Sequence, residues 1–525
     1  GPADDRESSS PASLTESPRA ALTTTINPPV FFTSAGLLVA LLLACVLLPE
    51  ASIRFFSGLK TWVVTNFGWF YILSVTFFFV FSVWLMLGRY GAIRLGADDE
   101  RPAYSWSAWV AMLFAAGMGI GLVFYGVAEP IYHYASPPLD VPLSAAARAN
   151  AIALTYHHWG IHAWSVYAVL ALAIAYFSYR KGLPLTLRSC FYPLFGERLD
   201  GWLGHSIDII AVFGTLFGLA TSLGIGATSV SAGLHHLFGF AHDTSTQLAL
   251  IAVITMAATV SLVTGVDKGI KRLSEANMIL AALLLCFVFA FGPTVAILNT
   301  LVESVGLYLS HFVERSFRMG QSAPATEGKW IQDWTVVYWG WWIAWAPFVG
   351  VFVARISRGR TIREFMFTVM CVPVVITFIW FAVFGGTALT LDAAGVAVVD
   401  AVQADDATAI YTVLQALPLS TLSCFVTMLV ITIFFVSSSD SASYVVDMLT
   451  SGGNPDPPIW QRVFWASAEG ATAGILLYAA GSEVLTGLKA GVVAFGLPFC
   501  ALIILVCFSL MKALREEESV PGNQT

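Results

Sequence analysis

Charge is what this 525-residue sequence has least of: Asp, Glu, Lys and Arg make up 11% of it, against 57% hydrophobic residues. A water-soluble chain carries about twice that share of charge, so a soluble globular protein is excluded and an integral membrane protein is indicated. Basic runs are missing as well, and with a net charge of −7 nothing here suits nucleic acid. The seven cysteines (Cys45, Cys190, Cys286, Cys371, Cys424, Cys500, Cys507) have no metal-ligand spacing and read as small buried apolar residues. No basic start followed by a short apolar core opens the chain, so no signal peptide is expected. Residues 1–27 are polar and rich in Ser, Thr, Ala and Pro; they read as a disordered tail headed by a Gly1-Pro2 protease remnant. Nucleophile–base spacing is absent too. Asp440, Glu129 and the histidines form no recognisable acid–base set, so no enzyme is expected, and Glu129-Pro130 reads as the end of a helix.

Long apolar runs, by contrast, fill the chain. Twelve of spanning length lie near 30–49, 68–88, 105–130, 149–179, 202–236, 246–266, 275–298, 333–354, 364–388, 419–448, 461–481 and 487–512. The predicted fold is therefore all-α, with twelve transmembrane helices. Two runs, 149–179 and 202–236, exceed a perpendicular span and require tilt or an extension beyond the membrane. Lys and Arg gather in alternate connections: Arg89, Arg94 and Arg101; Arg180, Lys181, Arg188 and Arg198; Lys268, Lys271 and Arg272; Arg355, Arg358, Arg360 and Arg363. Connections 237–245 and 389–418 hold none, which by the positive-inside rule puts both termini in the cytoplasm. Connection 303–332 departs with Arg315, Arg318 and Lys329; residues 299–316 could lie on the outer surface as an amphipathic helix.

Four features stand out within the spans. Trp339, Trp341, Trp342 and Trp345 crowd the eighth, in YWGWWIAWAPFVG. Trp342 stands nine residues after Asp333 and thirteen before Arg355, roughly 14 and 20 Å along a helix, which is near the midplane and not at an interface where Trp normally anchors. Indole faces at that depth suit a cation with no hydrogen-bond donor. The third span holds Gly117-Met118-Gly119-Ile120-Gly121. This is either a close helix–helix contact or an unwound stretch whose carbonyls face a cavity. The eighth has a matching interruption at Pro347 and Gly350, and two broken spans five apart suggest two five-helix repeats after two extra helices. The predicted division is 1–27 tail, 28–104 two helices, 105–302 first repeat, 303–332 connection, 333–513 second repeat and 514–525 short tail. The tenth span carries Ser437-Ser438-Ser439-Asp440-Ser441, either serines bonding back to their own helix or oxygen ligands for sodium. In the fourth, His158 and His162 are spaced i, i+4, but without a third ligand zinc is not expected.

Jointly, GMGIG, HW..H.W..Y in the fourth span, YWGWWIAW, SSSDSAS and FVARISRGRTIREF (Phe352–Phe365) resemble the betaine/choline/carnitine transporter family, from about Asn27 to Leu514. The resemblance implies a LeuT-like five-plus-five inverted repeat preceded by two helices. It also implies a homotrimer among lipid in the bacterial inner membrane, and alternating-access transport of a small quaternary ammonium or sulfonium substrate. By position, the substrate cage would use Trp159, Trp164, Tyr167, Trp341, Trp342 and Trp345, with Phe124 as a gate and Gly117, Met118, Gly119 and Gly121 facing the substrate. Sodium, the coupling ion, would take carbonyls of Ala115, Met118 and Phe434 and hydroxyls of Ser437 and Ser438. Thr215 and Phe348 fall at a second sodium position, where Leu219 replaces a family threonine. No other cofactor is implied. The proton-coupled choline carriers resemble this chain at NPPVFFTSAG, GLPLTLRS and GHSIDI. They bear aspartate at the position of Gly121 and tend to lack Trp159. The site residues thus favour a sodium-driven zwitterion carrier over proton-coupled choline uptake or ion-independent carnitine-type exchange. Lacking a long charged extension after Lys512, the chain is not expected to be osmotically activated by that route.

Overall fold

The computed structural model describes residues 26–264, 267–454, 456–480 and 484–518. The expected N-terminal tail, but for its last two residues, and the end of the C-terminal tail lie outside them. Among the described residues eleven helices are long and apolar enough to span a membrane; a bent helix pair makes the twelfth span. The only β pairing among them is an isolated bridge, Arg94 with Thr361. The twelve-span, all-helical expectation therefore holds.

Helices α1 (Pro28–Leu47) and α2 (Pro49–Leu87) come first. The second is far longer than the run at 68–88. Phe56, Val63 and Val64 carry the buried stripe of Tyr71 and Ile72 back into residues 49–67, so the amphipathic pattern carries the helix on. At 39 residues it measures about 58 Å and must tilt or project from a core of about 30 Å.

The third span is broken. Helices α3 (Trp106–Gly117) and α4 (Ile120–Ala135) meet at 58° across Met118 and Gly119, both extended. Helix α4 runs through Pro130, so Glu129 does not end it. A proline ring inside a helix needs space, and here it lies against Gly385 of the ninth span, where a Cβ would come within 2.8 Å of it.

A break that composition did not predict divides the fourth span into α5 (Ala145–Trp159) and α6 (Ile161–Ala175) at Gly160. The Ile161 N–H released there donates to the Tyr308 hydroxyl at 3.1 Å. The fifth to seventh spans are α7 (Trp202–Phe238), α8 (Thr244–Val263) and α9 (Asp267–Phe291). In place of one helix over 299–316 come α10 (Thr294–Ser310) and a short helix, Phe312–Phe317, with Val295, Val302 and Leu309 exposed along one stripe.

The eighth span, α11 (Thr335–Ile356), is continuous, and the interruption expected at Pro347 and Gly350 does not occur. Gly350 instead marks a packing contact: a Cβ there would meet Ala171 and Leu170 of α6 at 3.5 Å. Helices α12 (Ile362–Ala393), α13 (Ser420–Thr450), α14 (Ile459–Ala480) and α15 (Val484–Glu518) complete the bundle.

Candidate functional site

The break between α3 and α4, the end of α5, the start of α6 and the middle of α11 surround a cavity of about 130 Å³. Small residues set its walls. A Cβ on Gly214 of α7 would lie 3.3 Å from the Ala344 carbonyl, and one on Gly218 would lie 2.8 Å from the Trp345 ring. Glycines at that i, i+4 spacing let α11 sit directly on α7. Trp159, Trp164, Tyr167, Trp341, Trp342 and Trp345 all line the cavity, as do Gly117, Met118, Gly119 and Gly121. Phe124 does not; its ring packs on Tyr125 at 4.9 Å, buried beside the cage.

The rings form a corner. Trp341 and Trp342 are stacked at 4.9 Å with planes 18° apart, and Trp159 meets Trp342 edge-on at 4.8 Å and 65°. Trp164 meets Tyr167 at 5.1 Å and 74°. The Trp342 N–H donates to the His158 carbonyl at 2.8 Å, which fixes its plane. Gly121 is where the cage is tightest. A Cβ there would lie 2.9 Å from Trp159 and 3.2 Å from Trp341, closer than carbon atoms pack. At the start of α4, the first helical N–H groups lack intrahelical partners and point toward the broken segment.

A second cavity of about 690 Å³ adjoins the first and shares Ala116, Met118, Phe348, Val349 and Ser438 with it. Ala115, Met118, Phe434, Ser437 and Ser438, the five candidate sodium ligands, all line it, and Arg355, Asp456 and Arg462 lie along its wall. The Ala115 carbonyl already accepts the Met118 N–H at 3.2 Å, and the Phe434 carbonyl accepts Ser437 Oγ at 3.3 Å. The Ala115 carbonyl, beside the break, keeps a lone pair for a cation; Phe434 lies inside the unbroken α13, where its carbonyl also faces the helical N–H of Ser438, so a cation there competes with the Ser437 hydroxyl. Ser441 lines this cavity as well, whereas Ser439 and Ser443 turn away and donate to buried Glu469 at 3.2 and 2.9 Å. Of the two residues expected at a second sodium position, Phe348 lines both cavities. Thr215 lines neither cavity, although its buried hydroxyl lacks a hydrogen-bond partner, and Leu219 beside it is fully buried and apolar.

His158 and His162 do not converge; His162 pairs with Ser316 at 2.7 Å. A different group forms around Glu129, whose ligand atoms with His133 and His158 lie within 4.8 Å of one another. The i, i+4 spacing of Glu129 and His133 in an apolar helix was the available sequence signal. Tyr338 and Thr335, which complete the group, gave none.

The family model for the betaine/carnitine/choline transporters matches residues 29–519. The chain belongs to that family. It is a multi-pass membrane transporter and not an enzyme. It is similar to an uncharacterised transporter of Mycobacterium tuberculosis, 45% identical over 494 residues, covering 93% of this chain and 83% of the relative. The glycine betaine transporter of Acinetobacter baylyi is 43% identical over 492 residues, 93% of this chain and 74% of its own. A glycine betaine/proline/choline/ectoine transporter of Vibrio parahaemolyticus is 44% identical over 500 residues, 94% and 88%.

Proposed function

We propose that this transporter imports a quaternary ammonium zwitterion, glycine betaine or a close analogue, by sodium symport with alternating access between two five-helix repeats. A trimethylammonium head has no classical donor, and desolvated indole faces attract it by about 2 kcal/mol or more per well-placed ring. The cage offers such faces from α5, α6 and α11. The carboxylate tail meets the free N–H groups at the start of α4. Sodium sits in the adjoining cavity, between the carbonyls of Ala115, Met118 and Phe434 and the hydroxyls of Ser437 and Ser438. One sodium is enough for this scheme, since Leu219 offers no oxygen to a second at Thr215 and Phe348. The protein works as a homotrimer in a bacterial inner membrane with both termini cytoplasmic. Relatives named for glycine betaine support the substrate class.

The observation that carries the preference over proton-coupled choline uptake is the contact at Gly121. An aspartate there would strike both Trp159 and Trp341. The two departures from the choline carriers, glycine at 121 and tryptophan at 159, are thus a single steric condition. They leave the cage without a carboxylate, which suits a zwitterion better than a bare cation. The test is uptake of labelled betaine and choline into proteoliposomes with and without an imposed sodium gradient. Betaine uptake should require sodium and exceed that of choline. Equal betaine uptake without sodium, or uptake driven by a proton gradient alone, would contradict the proposal.

A further inference from the structure

One fully buried carboxylate touches the cage without lining it. Glu129 sits on α4, about 15 Å along the helix from the break at Gly119. Its side chain is 0% exposed and takes four hydrogen bonds. Oε1 accepts the Trp159 indole N–H at 2.8 Å and the Tyr338 hydroxyl. Oε2 lies 3.0 Å from His133 Nε2 and 2.9 Å from His158 Nδ1. His158 Nε2 is in turn 2.9 Å from Thr335 Oγ1. The donors come from α4, α5 and α11, the helices that also supply cage walls. With four donors in place the carboxylate has no coordination to spare, which argues against a metal centre despite the convergent histidines.

Two of the four donors belong to the cage wall or support it. Trp159 faces the cavity. Tyr338 lies behind the tryptophans, stacked on Trp342 at 5.4 Å and 25° and on Trp341 at 6.1 Å and 18°. An indole held by its N–H cannot rotate about its Cβ–Cγ bond without breaking that bond, and ring orientation decides whether a face or an edge meets a cation. We infer that Glu129 is a positioning residue for substrate: it holds Trp159 and Tyr338 at the angles that make the cage, and so sets substrate affinity without touching substrate. The bland alternative is a carboxylate that merely staples three helices. A staple would affect stability and the amount of protein in the membrane, and leave affinity alone.

This inference rests on the cage proposed above, so the experiment carries a control for it. Betaine KM and Vmax are measured in proteoliposomes for Glu129→Asp, Glu129→Gln and Trp342→Leu at matched amounts of protein. Aspartate keeps the charge but is one methylene short of Trp159 and Tyr338. Losing hydrogen bonds to a charged group should raise KM about tenfold, with Vmax largely kept. Glutamine keeps the length and two acceptor lone pairs for those two donors, and should stay within about threefold of the parent. Removing the indole N–H with Trp159→Phe should raise KM by itself, and in the double variant with Glu129→Asp the two effects should not add. Should Glu129→Asp fail to reach the membrane, Tyr338→Phe tests the other donor on the same oxygen and should also raise KM. A KM unchanged in Glu129→Asp and Tyr338→Phe while Trp342→Leu raises it overturns the positioning role and leaves the cage standing. A KM unchanged in Trp342→Leu means the cage itself is misplaced.

Discussion

The third and eighth spans both carry helix breakers at the depth of the cage, and only one of them breaks. Between α3 and α4 the chain unwinds at Met118 and Gly119; α11 passes through Pro347 and Gly350 as an unbroken helix. A proline removes one N–H and crowds one carbonyl, and a helix held on several sides can absorb that with small adjustments. Three glycines at alternate positions remove side-chain support from a whole turn, at about 1 kcal/mol each relative to alanine. The two spans therefore divide the work. The third exposes backbone groups at its break, and the eighth presents an unbroken rail of rings.

The sharpest way to break this comparison is to give the third span a side chain where it most needs none. Gly121→Asp should lower betaine kcat/KM about 100-fold or more, since it both overpacks the site and brings a charge against two indoles; uptake kinetics at matched expression would show it. Next in size is Trp342→Leu on the eighth span, which should raise betaine KM about thirtyfold, the equivalent of about 2 kcal/mol for one ring. Ser438→Ala should raise the sodium concentration for half-maximal uptake about fivefold, and more than it raises betaine KM, as one of five oxygens is lost. The smallest effects separate the two breakers. Gly119→Ala, where a Cβ has open space around it, should reduce transport about fivefold by favouring a helix across the break. Pro347→Ala should stay within about twofold of the parent, because α11 is already helical there. Equal losses from these two would erase the distinction between the spans.

Much of the architecture was legible in the sequence. Twelve apolar runs announced twelve spans, because composition and periodicity act locally; the glycine triplet marked the place but left close packing and unwinding open, and the chain unwinds there at Met118 and Gly119. Tertiary satisfaction was not legible. Residues 50–67 continue α2 because Phe56, Val63 and Val64 find a buried face, and Gly160 breaks the fourth span where the hydroxyl of Tyr308, far away in sequence, receives the freed N–H. Pro347 gave a false signal for the converse reason, since its neighbours hold the helix straight. The cage tryptophans were visible as a cluster in one run. Glu129 was misread as a helix end because its partner Tyr338 lies 209 residues away, and no local pattern connects the two.

The central claim is that a methylated cation is held between the rings of α11 and the broken third span. A structure of the protein with glycine betaine and sodium tests it most directly. The expected result is density for the ammonium head against Trp342 and Trp159, with the carboxylate toward the Gly117–Gly121 segment. Betaine density elsewhere in the bundle, with the space between Trp342 and Gly121 filled only by water, would contradict it.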